Sequence, residues 1–315
     1  MLPKSTRRRT WKQLLSQEAP LLLPAAHDAL TARIIERVGF KAYQVGGFAL
    51  DGARFGLPDI DLTRFGEKSS AVREIIAASS LPVLVDCDDG YGDVKNTTHT
   101  IQIYEGMGAS AVFIEDQEPP KRCGHMSGKK VIPAKQMENK IRAAVAARCN
   151  RDGLFLIART DAIEPEGLDE ALRRAELYLK AGADGLYIEG PRNLKELKKI
   201  GEEFKGVPKV VTILEGGGQT PWLPPEKLRT LGFSMVLYPT SVLFRVTRII
   251  ERALEDIKNG HPMAKNDAVD MNTFEHIVGL ERWAAVEMRF QGGKHQGEQG
   301  DDSIISRLMG KSRAS

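Results

Sequence analysis

The sequence predicts a (β/α)8 barrel. Eight short apolar runs recur along the chain, and stretches with helical periodicity separate them. Aliphatic and β-branched runs of this length are typical of strands buried on both faces, and their alternation with helices favours a parallel sheet. Eight such units favour a closed barrel over an open sheet. The strands are expected at 21–23, 42–45, 83–85, 111–114, 155–158, 185–188, 209–212 and 235–237.

Glycines support the alternation. Gly39, Gly108, Gly182 and Gly232 each end a helical pattern just before the next apolar run. Glycine accepts the left-handed conformation that commonly follows a helix, so these positions are expected to be turns from helix to strand. The clearest helical patterns lie at 29–38, 69–78, 97–107, 134–147 and 168–180.

The chain becomes helical after about residue 241. The eighth barrel helix is expected at 241–258, and 271–290 holds further apolar helical segments. A barrel already has eight helices, so this extra apolar surface is expected to pack on a neighbouring subunit. We predict one barrel domain over 1–291, including the helical extension, and a polar, loosely ordered tail over 292–315.

Composition narrows the class of protein. The chain has 315 residues, 42% apolar and 28% charged, with a net charge of +3, as is ordinary for a globular protein. No apolar run approaches the roughly 18 residues of a membrane span, and no signal-like segment follows Met1. Three cysteines without a CxxC pair argue against disulfides and structural zinc. We expect a cytoplasmic protein without nucleic-acid or membrane partners, although Arg7–Arg9 could also contact nucleic acid or belong to a targeting segment.

Acidic residues gather where the predicted strands end. Asp86, Asp88 and Asp89 follow the third strand, and Glu115 and Asp116 follow the fourth. Catalytic groups of barrels come from the carboxyl ends of strands. Carboxylates this close repel one another unless a cation relieves them, and hard oxygen ligands suit Mg²⁺ or Mn²⁺. The alternative is a solvated acidic turn that caps the next helix.

Other polar residues at strand ends point to an anionic substrate. Arg159 ends the fifth strand, where it could bind a carboxylate with two hydrogen bonds or form an ion pair with a neighbouring acid. Glu189 ends the sixth strand. Glu215 follows the seventh strand, and the next three residues are glycines. Glycines there permit close approach of a ligand to the backbone. A small carboxylate substrate is therefore expected.

The loop after the fourth strand, 119–130, is long, basic and rich in glycine. Such a loop predicts a mobile lid over an anionic substrate. Cys123 lies in it among Lys121, Arg122 and His125. Nearby positive charge would lower the pKa of the thiol and make it usable as an acid or base.

These segments resemble the isocitrate lyase/phosphoenolpyruvate mutase superfamily over about residues 10–290. The most specific matches are VDCDDGYG at 85–92, IEDQ at 114–117, KRCGH at 121–125 and ARTD at 158–161. The KRCGH loop is similar to that of the carbon–carbon lyase branch, which includes 2-methylisocitrate lyase and 2,3-dimethylmalate lyase-like enzymes. The phosphonate mutases and hydrolases carry a cysteine-free sequence there.

The resemblance implies a Mg²⁺ site. Asp88 would contact the ion directly, Asp86 and Glu115 would hold it through water, and Asp59 would lie in the same acidic shell. The backbone amides of Gly46 and Gly47 would bind a substrate carboxylate. Three charged side chains would complete the pocket, with Arg159 on a carboxylate or oxyanion and Glu189 and Glu215 beside it.

The resemblance also implies a reaction and an assembly. A 2-hydroxy di- or tricarboxylate would be cleaved by retro-aldol or retro-Claisen chemistry, and Cys123 would protonate the released carbanion with support from His125 and Lys121. The family fold exchanges its eighth helix between the subunits of a dimer, and two dimers form a homotetramer.

Two positions depart from the family pattern. Val45 stands where a hydroxyl residue is usual, and Thr212 stands where asparagine is usual; both positions touch substrate in relatives. A different substrate is therefore expected, one option being an alkyl group near Val45. The alternatives are an oxaloacetate hydrolase or decarboxylase, a carbon–phosphorus bond enzyme, which Cys123 disfavours, and a barrel without catalysis.

Overall fold

Eight parallel strands form a nearly closed barrel in the computed structural model, which describes residues 10–149, 153–264 and 267–291. Neighbouring strands follow chain order from β2 to β8, and β8 pairs with β1. The edges meet where Ala25 bridges Gln44, whose side-chain amide donates to the Leu23 carbonyl at 3.2 Å. The predicted fold is confirmed, with strands β1 (Leu21–Pro24), β2 (Tyr43–Val45), β3 (Val83–Asp86), β4 (Ala111–Glu115), β5 (Phe155–Thr160), β6 (Gly185–Ile188), β7 (Lys209–Thr212) and β8 (Met235–Tyr238).

Helices separate the strands as the sequence predicts. The four glycines at the predicted helix ends all adopt positive φ, between 88° and 108°. A π-helical turn, Asp51–Phe55, follows the short helix after β2. The helices are α1 (Trp11–Gln17), α2 (Ala29–Val38), α3 (Gly47–Leu50), α4 (Phe65–Ala78), α5 (Val94–Met107), α6 (Ala134–Ala147), α7 (Ile163–Glu166), α8 (Leu168–Lys180), α9 (Leu194–Glu203), α10 (Pro225–Thr230), α11 (Ser241–Lys258), α12 (Met271–Val278) and α13 (Leu280–Gln291).

Side-chain alternation along each strand divides the core into two layers. In β3, Leu84 packs inside the barrel, whereas Val83 and Val85 pack between strands and helices. Helix α1, which the sequence did not predict, contributes Trp11 and Leu14 to the interior cluster, and the Trp11 indole N–H lies 3.4 Å from Met235 Sδ. The interior is therefore packed up to the layer where the polar strand ends begin.

The chain divides after Glu255 into two compact units. In the second unit the predicted helical region 271–290 forms two helices, because Gly279 takes φ 79° between α12 and α13. The single domain over 1–291 stays a prediction, and Arg7–Arg9 and the predicted tail 292–315 lie outside the described residues.

None of the helices in the described part of the chain combines the length and apolar character that a membrane span requires.

Candidate active site

One cavity opens at the carboxyl ends of the strands. Its wall includes Asp86 from β3, Arg159 from β5 and Thr212 from β7. The loop 119–130, called the lid loop below, covers part of the cavity, and its Cys123 lines the wall. The predicted site residues that line this cavity are Gly46, Gly47, Asp59, Asp86, Cys123, His125, Arg159, Glu189 and Thr212.

Asp88 lies beside this cavity in a buried ion cluster. Its two carboxylate oxygens lie 2.6 Å from Lys121 Nζ and 2.7 Å from Lys68 Nζ, and Lys121 also binds Asp59. Burial favours a neutral Asp88, but the two ammonium groups outweigh it and hold the pKa of this carboxyl well below its usual value. Asp88 is thus ionised and already paired on both oxygens.

Asp86, by contrast, faces the cavity. One oxygen accepts from the Gly47 amide at 3.1 Å and the other from the Asp88 amide at 2.9 Å. Burial, together with the charge of Asp88, raises the pKa of Asp86. Strand β3 ends at Asp86, and Asp88 takes a left-handed φ of 47°, so the alternation that would have turned both side chains to one side stops there. The geometry therefore favours Asp86, rather than Asp88 as the resemblance implied, for direct contact with a metal ion.

Arg159 is held on several sides. Asp161 accepts two hydrogen bonds from its guanidinium, at 2.9 and 3.0 Å, and Glu115 pairs with Nη1 at 3.2 Å. The guanidinium carbon lies 4.9 Å from the centre of the Tyr187 ring and 5.7 Å from that of Phe113. Arg159 therefore forms the ion pairs with neighbouring acids that the sequence offered as the alternative. It also lines the cavity, where its guanidinium can bind a carboxylate.

Hydrogen bonds and an ion pair hold the lid loop over the cavity. The Cys123 amide donates to the Asp59 carbonyl at 3.1 Å, Lys129 pairs with Asp161 at 3.2 Å, and the Gly128 amide donates to Glu164 at 2.8 Å. A Cβ atom at position 124 would lie 2.8 Å from Glu189 Cγ and collide with Arg159, so only glycine lets the loop pack this closely. These contacts hold the loop against the cavity, and its movement as a lid stays a prediction.

Cys123 does not have the lowered pKa that the sequence suggested. Burial and the charge of Asp59 raise the pKa of its thiol to about 11, against a smaller opposing effect of the His125 amide. The prediction was wrong because the neighbouring cations point elsewhere: Arg122 is exposed, and the Lys121 ammonium is bound by carboxylates. A thiol with this pKa carries its proton at neutral pH, which suits a proton donor.

This raised pKa predicts slow alkylation of Cys123 in protein from which metal ions have been removed with a chelator. A rise from 9.0 to about 11 leaves about one hundredfold less thiolate at pH 8, since each unit is a factor of ten. The rate of iodoacetamide labelling should climb about tenfold per pH unit and level off only near pH 11. Peptide mass spectrometry would follow Cys123 with the exposed Cys149 as internal reference. A plateau below pH 9 would contradict the raised pKa.

Two predicted substrate residues lie away from the cavity wall. Val45 is 1% exposed and packs in the layer between strands and helices, because β2 turns Gln44 into the barrel instead. Glu215 lies beyond the end of β7, in a turn where Gly216 takes φ 93°, and pairs with Arg245 at 3.3 Å. Neither residue lines the cavity in which the substrate was expected to bind.

Glu115 and Lys121 lie outside the cavity wall and hold other residues of the site in place, whereas His125 lines the cavity. Glu115 holds Arg159, and Lys121 holds carboxylates rather than the Cys123 thiol. His125 Nε2 lies 3.5 Å from Glu189.

The sequence did not single out three residues that shape the site. Gln44 and Tyr187 line the cavity, and Lys68 belongs to the ion cluster. A polar residue inside an apolar run was the available signal for the first two. The hydroxyl of Tyr187 is hydrogen-bonded to that of Thr212, so the position that departs from the family pattern is paired with a second hydroxyl in the same wall. Lys68 lies on a helix, where lysine is common, so its sequence position gave no comparable signal.

Comparison with known proteins decides the family. A family model described as phosphoenolpyruvate phosphomutase matches residues 11–258. The chain belongs to the phosphoenolpyruvate mutase/isocitrate lyase superfamily. Within this superfamily, 2,3-dimethylmalate lyase of Eubacterium barkeri is 35% identical over 285 residues, covering 90% of this chain and 98% of that protein. The 2-methylisocitrate lyase of Halalkalibacterium halodurans is 36% identical over 249 residues, covering 79% and 81%.

Solved structures of the superfamily share the fold. Oxaloacetate acetylhydrolase in complex with 3,3-difluorooxalacetate matches with a TM-score of 0.84 and 28% identity, covering 90% of this chain and 96% of that chain. Phosphonopyruvate hydrolase in complex with oxalate and Mg²⁺ matches with a TM-score of 0.78 and 27% identity, covering 90% and 100%.

The acidic side chains of this superfamily member fit Mg²⁺ in donor chemistry. Asp86 pairs with no cation among the described residues, and one buried oxygen of Glu115 accepts no hydrogen bond from them. In the described ranges, no three acidic, histidine or cysteine side chains converge closely enough to hold an ion by themselves. Mg²⁺ usually keeps several waters and takes only one or two carboxylates, so this spacing suits an ion held partly through water.

Proposed function

We propose that the protein is a Mg²⁺-dependent carbon–carbon lyase. Its substrate would be a small 2-hydroxy di- or tricarboxylate of the 2-methylisocitrate or alkyl-malate type, cleaved to a 2-oxo acid and a second carboxylate. The observation that carries the proposal is that the buried thiol of Cys123 shares one cavity with Arg159 and Asp86. The names of the two lyases that are about one third identical to this chain support the same chemistry.

Each residue has a role that follows from its contacts. Arg159, oriented by Asp161 and by the Tyr187 ring, binds a substrate carboxylate. Cys123 gives its proton to the carbon that leaves as a carboxylate-stabilised carbanion. The 2-hydroxyl group loses its own proton to a carboxylate of the cavity wall, such as Glu189, as its oxygen becomes the 2-oxo group, so one proton is taken up for the one that Cys123 gives. The loop over the cavity excludes water that would compete. Asp86 is the best placed direct ligand for Mg²⁺, with Asp59 and Glu115 acting through water. When bound, Mg²⁺ supplies positive charge that orients the 2-hydroxy acid and stabilises negative charge on its oxygen.

We further propose the homotetramer of helix-exchanged dimers as the assembly. Within the first unit, α11 exposes apolar side chains in the single chain, including Phe244, Ile249, Ile250 and Leu254. Soluble proteins rarely leave such a continuous apolar face uncovered. A second subunit of the same chain would cover it.

Oxaloacetate hydrolysis is the second candidate. The structural match to oxaloacetate acetylhydrolase supports it, since that protein shares the fold at a TM-score of 0.84. The reaction would use the same carboxylate binding by Arg159 but would require an activated water, which the closed lid and the protonated Cys123 do not favour. A carbon–phosphorus bond enzyme has less support, because Cys123 stands in the lid.

A substrate panel tests the proposal. Purified enzyme would be offered 2-methylisocitrate, isocitrate, alkyl-malates and oxaloacetate, with products followed by NMR. We expect a 2-oxo acid and a second carboxylate from at least one 2-hydroxy acid, and loss of this activity in EDTA because the acidic cluster needs its cation. Activity should return with added Mg²⁺, and Mn²⁺ should substitute.

The panel also separates the candidates. Release of oxalate and acetate from oxaloacetate alone would identify the hydrolase and reject the lyase. Undiminished turnover in EDTA would reject the metal requirement. No turnover of any acid in the panel would favour a barrel without catalysis.

A further inference from the structure

Lys68 is a buried lysine at the edge of the proposed metal site. It lies in the first turn of α4 and is 2% exposed. Its ammonium lies 2.7 Å from Asp88 and 3.4 Å from Asp51, and Asp51 also accepts a hydrogen bond from the Thr63 hydroxyl at 2.8 Å. Burying a charged amine costs free energy unless carboxylates surround it, so the two carboxylates are what allow Lys68 to be buried here.

The Lys68 ion pair is packed directly against the backbone that positions Asp86. A Cβ atom on Gly47 would lie 3.2 Å from Lys68 Nζ and 3.3 Å from Asp88 Oδ1. The amide of the same glycine donates to Asp86. The amide of Asp88 donates to the other oxygen of Asp86 at 2.9 Å. Lys68 and Lys121 together fix the position of Asp88, which bears on the orientation of Asp86 because the Asp88 amide is one of the two amides that donate to it.

We propose that Lys68 is a positioning residue that holds Asp88 out of direct contact with the metal ion and leaves Asp86 as the carboxylate that meets it. The inference rests on the Mg²⁺ site of the proposed function and adds a residue to it. Lys68 supplies a fixed positive charge, so the site attracts a divalent ion less strongly than its carboxylates alone would. Few direct protein ligands favour Mg²⁺, whereas Ca²⁺ takes six to eight oxygens.

The variant Lys68→Met, measured by titration calorimetry with Mg²⁺ and with Ca²⁺, tests this role without relying on turnover. Without Lys68, Asp88 keeps Lys121 on one oxygen, and its other oxygen becomes available as an additional direct ligand. We expect Mg²⁺ to bind about tenfold more tightly and Ca²⁺ to gain more than Mg²⁺. The matched control is Lys140→Met, which removes another buried lysine, bound 2.6 Å from the Asp89 carbonyl and 3.3 Å from its carboxylate. Its affinity for Mg²⁺ should stay within about threefold of wild type.

The double variant Lys68→Met/Asp51→Asn separates position from charge. It has the same net charge as wild type and leaves no unpaired Asp51, so it also serves if the single variant fails to fold, as judged by circular dichroism in EDTA. We expect it to keep the tighter Mg²⁺ binding and the larger Ca²⁺ gain.

Three results would overturn the inference. Wild-type affinity in the double variant would mean that charge alone acts. An equal gain in Lys140→Met would mean that any buried lysine near the site has this effect. Absence of Mg²⁺ binding to the wild-type protein would overturn the inference together with the metal in the proposed function, whereas the first two results would leave that function intact.

Discussion

Cys123→Ser should lower kcat for cleavage of the 2-hydroxy acid by roughly 10²- to 10⁴-fold, the usual contribution of a positioned general acid. The serine hydroxyl is a far weaker acid than a thiol with a pKa of about 11, so the carbanion would lose its proton donor. The substitution is small, and the backbone contact of residue 123 with Asp59 does not depend on the side chain. Substrate binding, measured as Kd by calorimetry, should therefore change little.

Cys87→Ala is the control for this loss. Cys87 is also a buried thiol, but it packs in the layer between strands and helices rather than in the cavity. Its removal should leave kcat within about threefold of wild type and affect mainly the melting temperature. Full activity in Cys123→Ser, or an equal loss in Cys87→Ala, would remove the thiol of Cys123 as the proton donor.

The fold could be predicted because its signals are local. Apolar runs and the glycines that follow helices depend only on neighbouring residues, and the structure places strands β6 and β7 at the predicted bounds of 185–188 and 209–212. Helix α1 was not predicted, because seven residues with two buried side chains carry little periodic signal. Its role depends on Met235, more than two hundred positions away.

The site could be predicted only in outline. Strand ends meet at one mouth in any parallel barrel, so gathering Asp86, Arg159 and Cys123 followed from the fold. Side chains along a strand point alternately into the barrel and towards the helices, so an error of one residue reverses the expected direction. Val45 was therefore expected in the cavity, although it faces the helices. The pKa of Cys123 depends on where the cationic side chains of the loop point, which the sequence does not encode locally.

Arg159→Lys should lower kcat/KM by roughly 10²- to 10³-fold, since disrupting a buried, hydrogen-bonded pair of charges costs about 2–5 kcal/mol. Lysine keeps the charge but loses the planar fork that binds Asp161 through two nitrogens and stacks against Tyr187. It also leaves Glu115, 3.2 Å from the guanidinium, without a fixed partner. The loss should therefore exceed what a change in charge alone would explain, and steady-state kinetics on the best substrate of the panel would measure it.

Arg148→Lys distinguishes this catalytic loss from a general effect of altering a buried arginine. Arg148 is also buried and pairs with Asp184 at 2.5 Å, but its second hydrogen bond goes to the Leu154 carbonyl, just before β5 begins and thus at the opposite end of the barrel from the cavity. The two variants should lose similar unfolding free energy, whereas only Arg159→Lys should lose kcat/KM. If both lost activity equally, the guanidinium of Arg159 would be acting on the stability of the barrel, and the carboxylate of the substrate would have to be bound by another group.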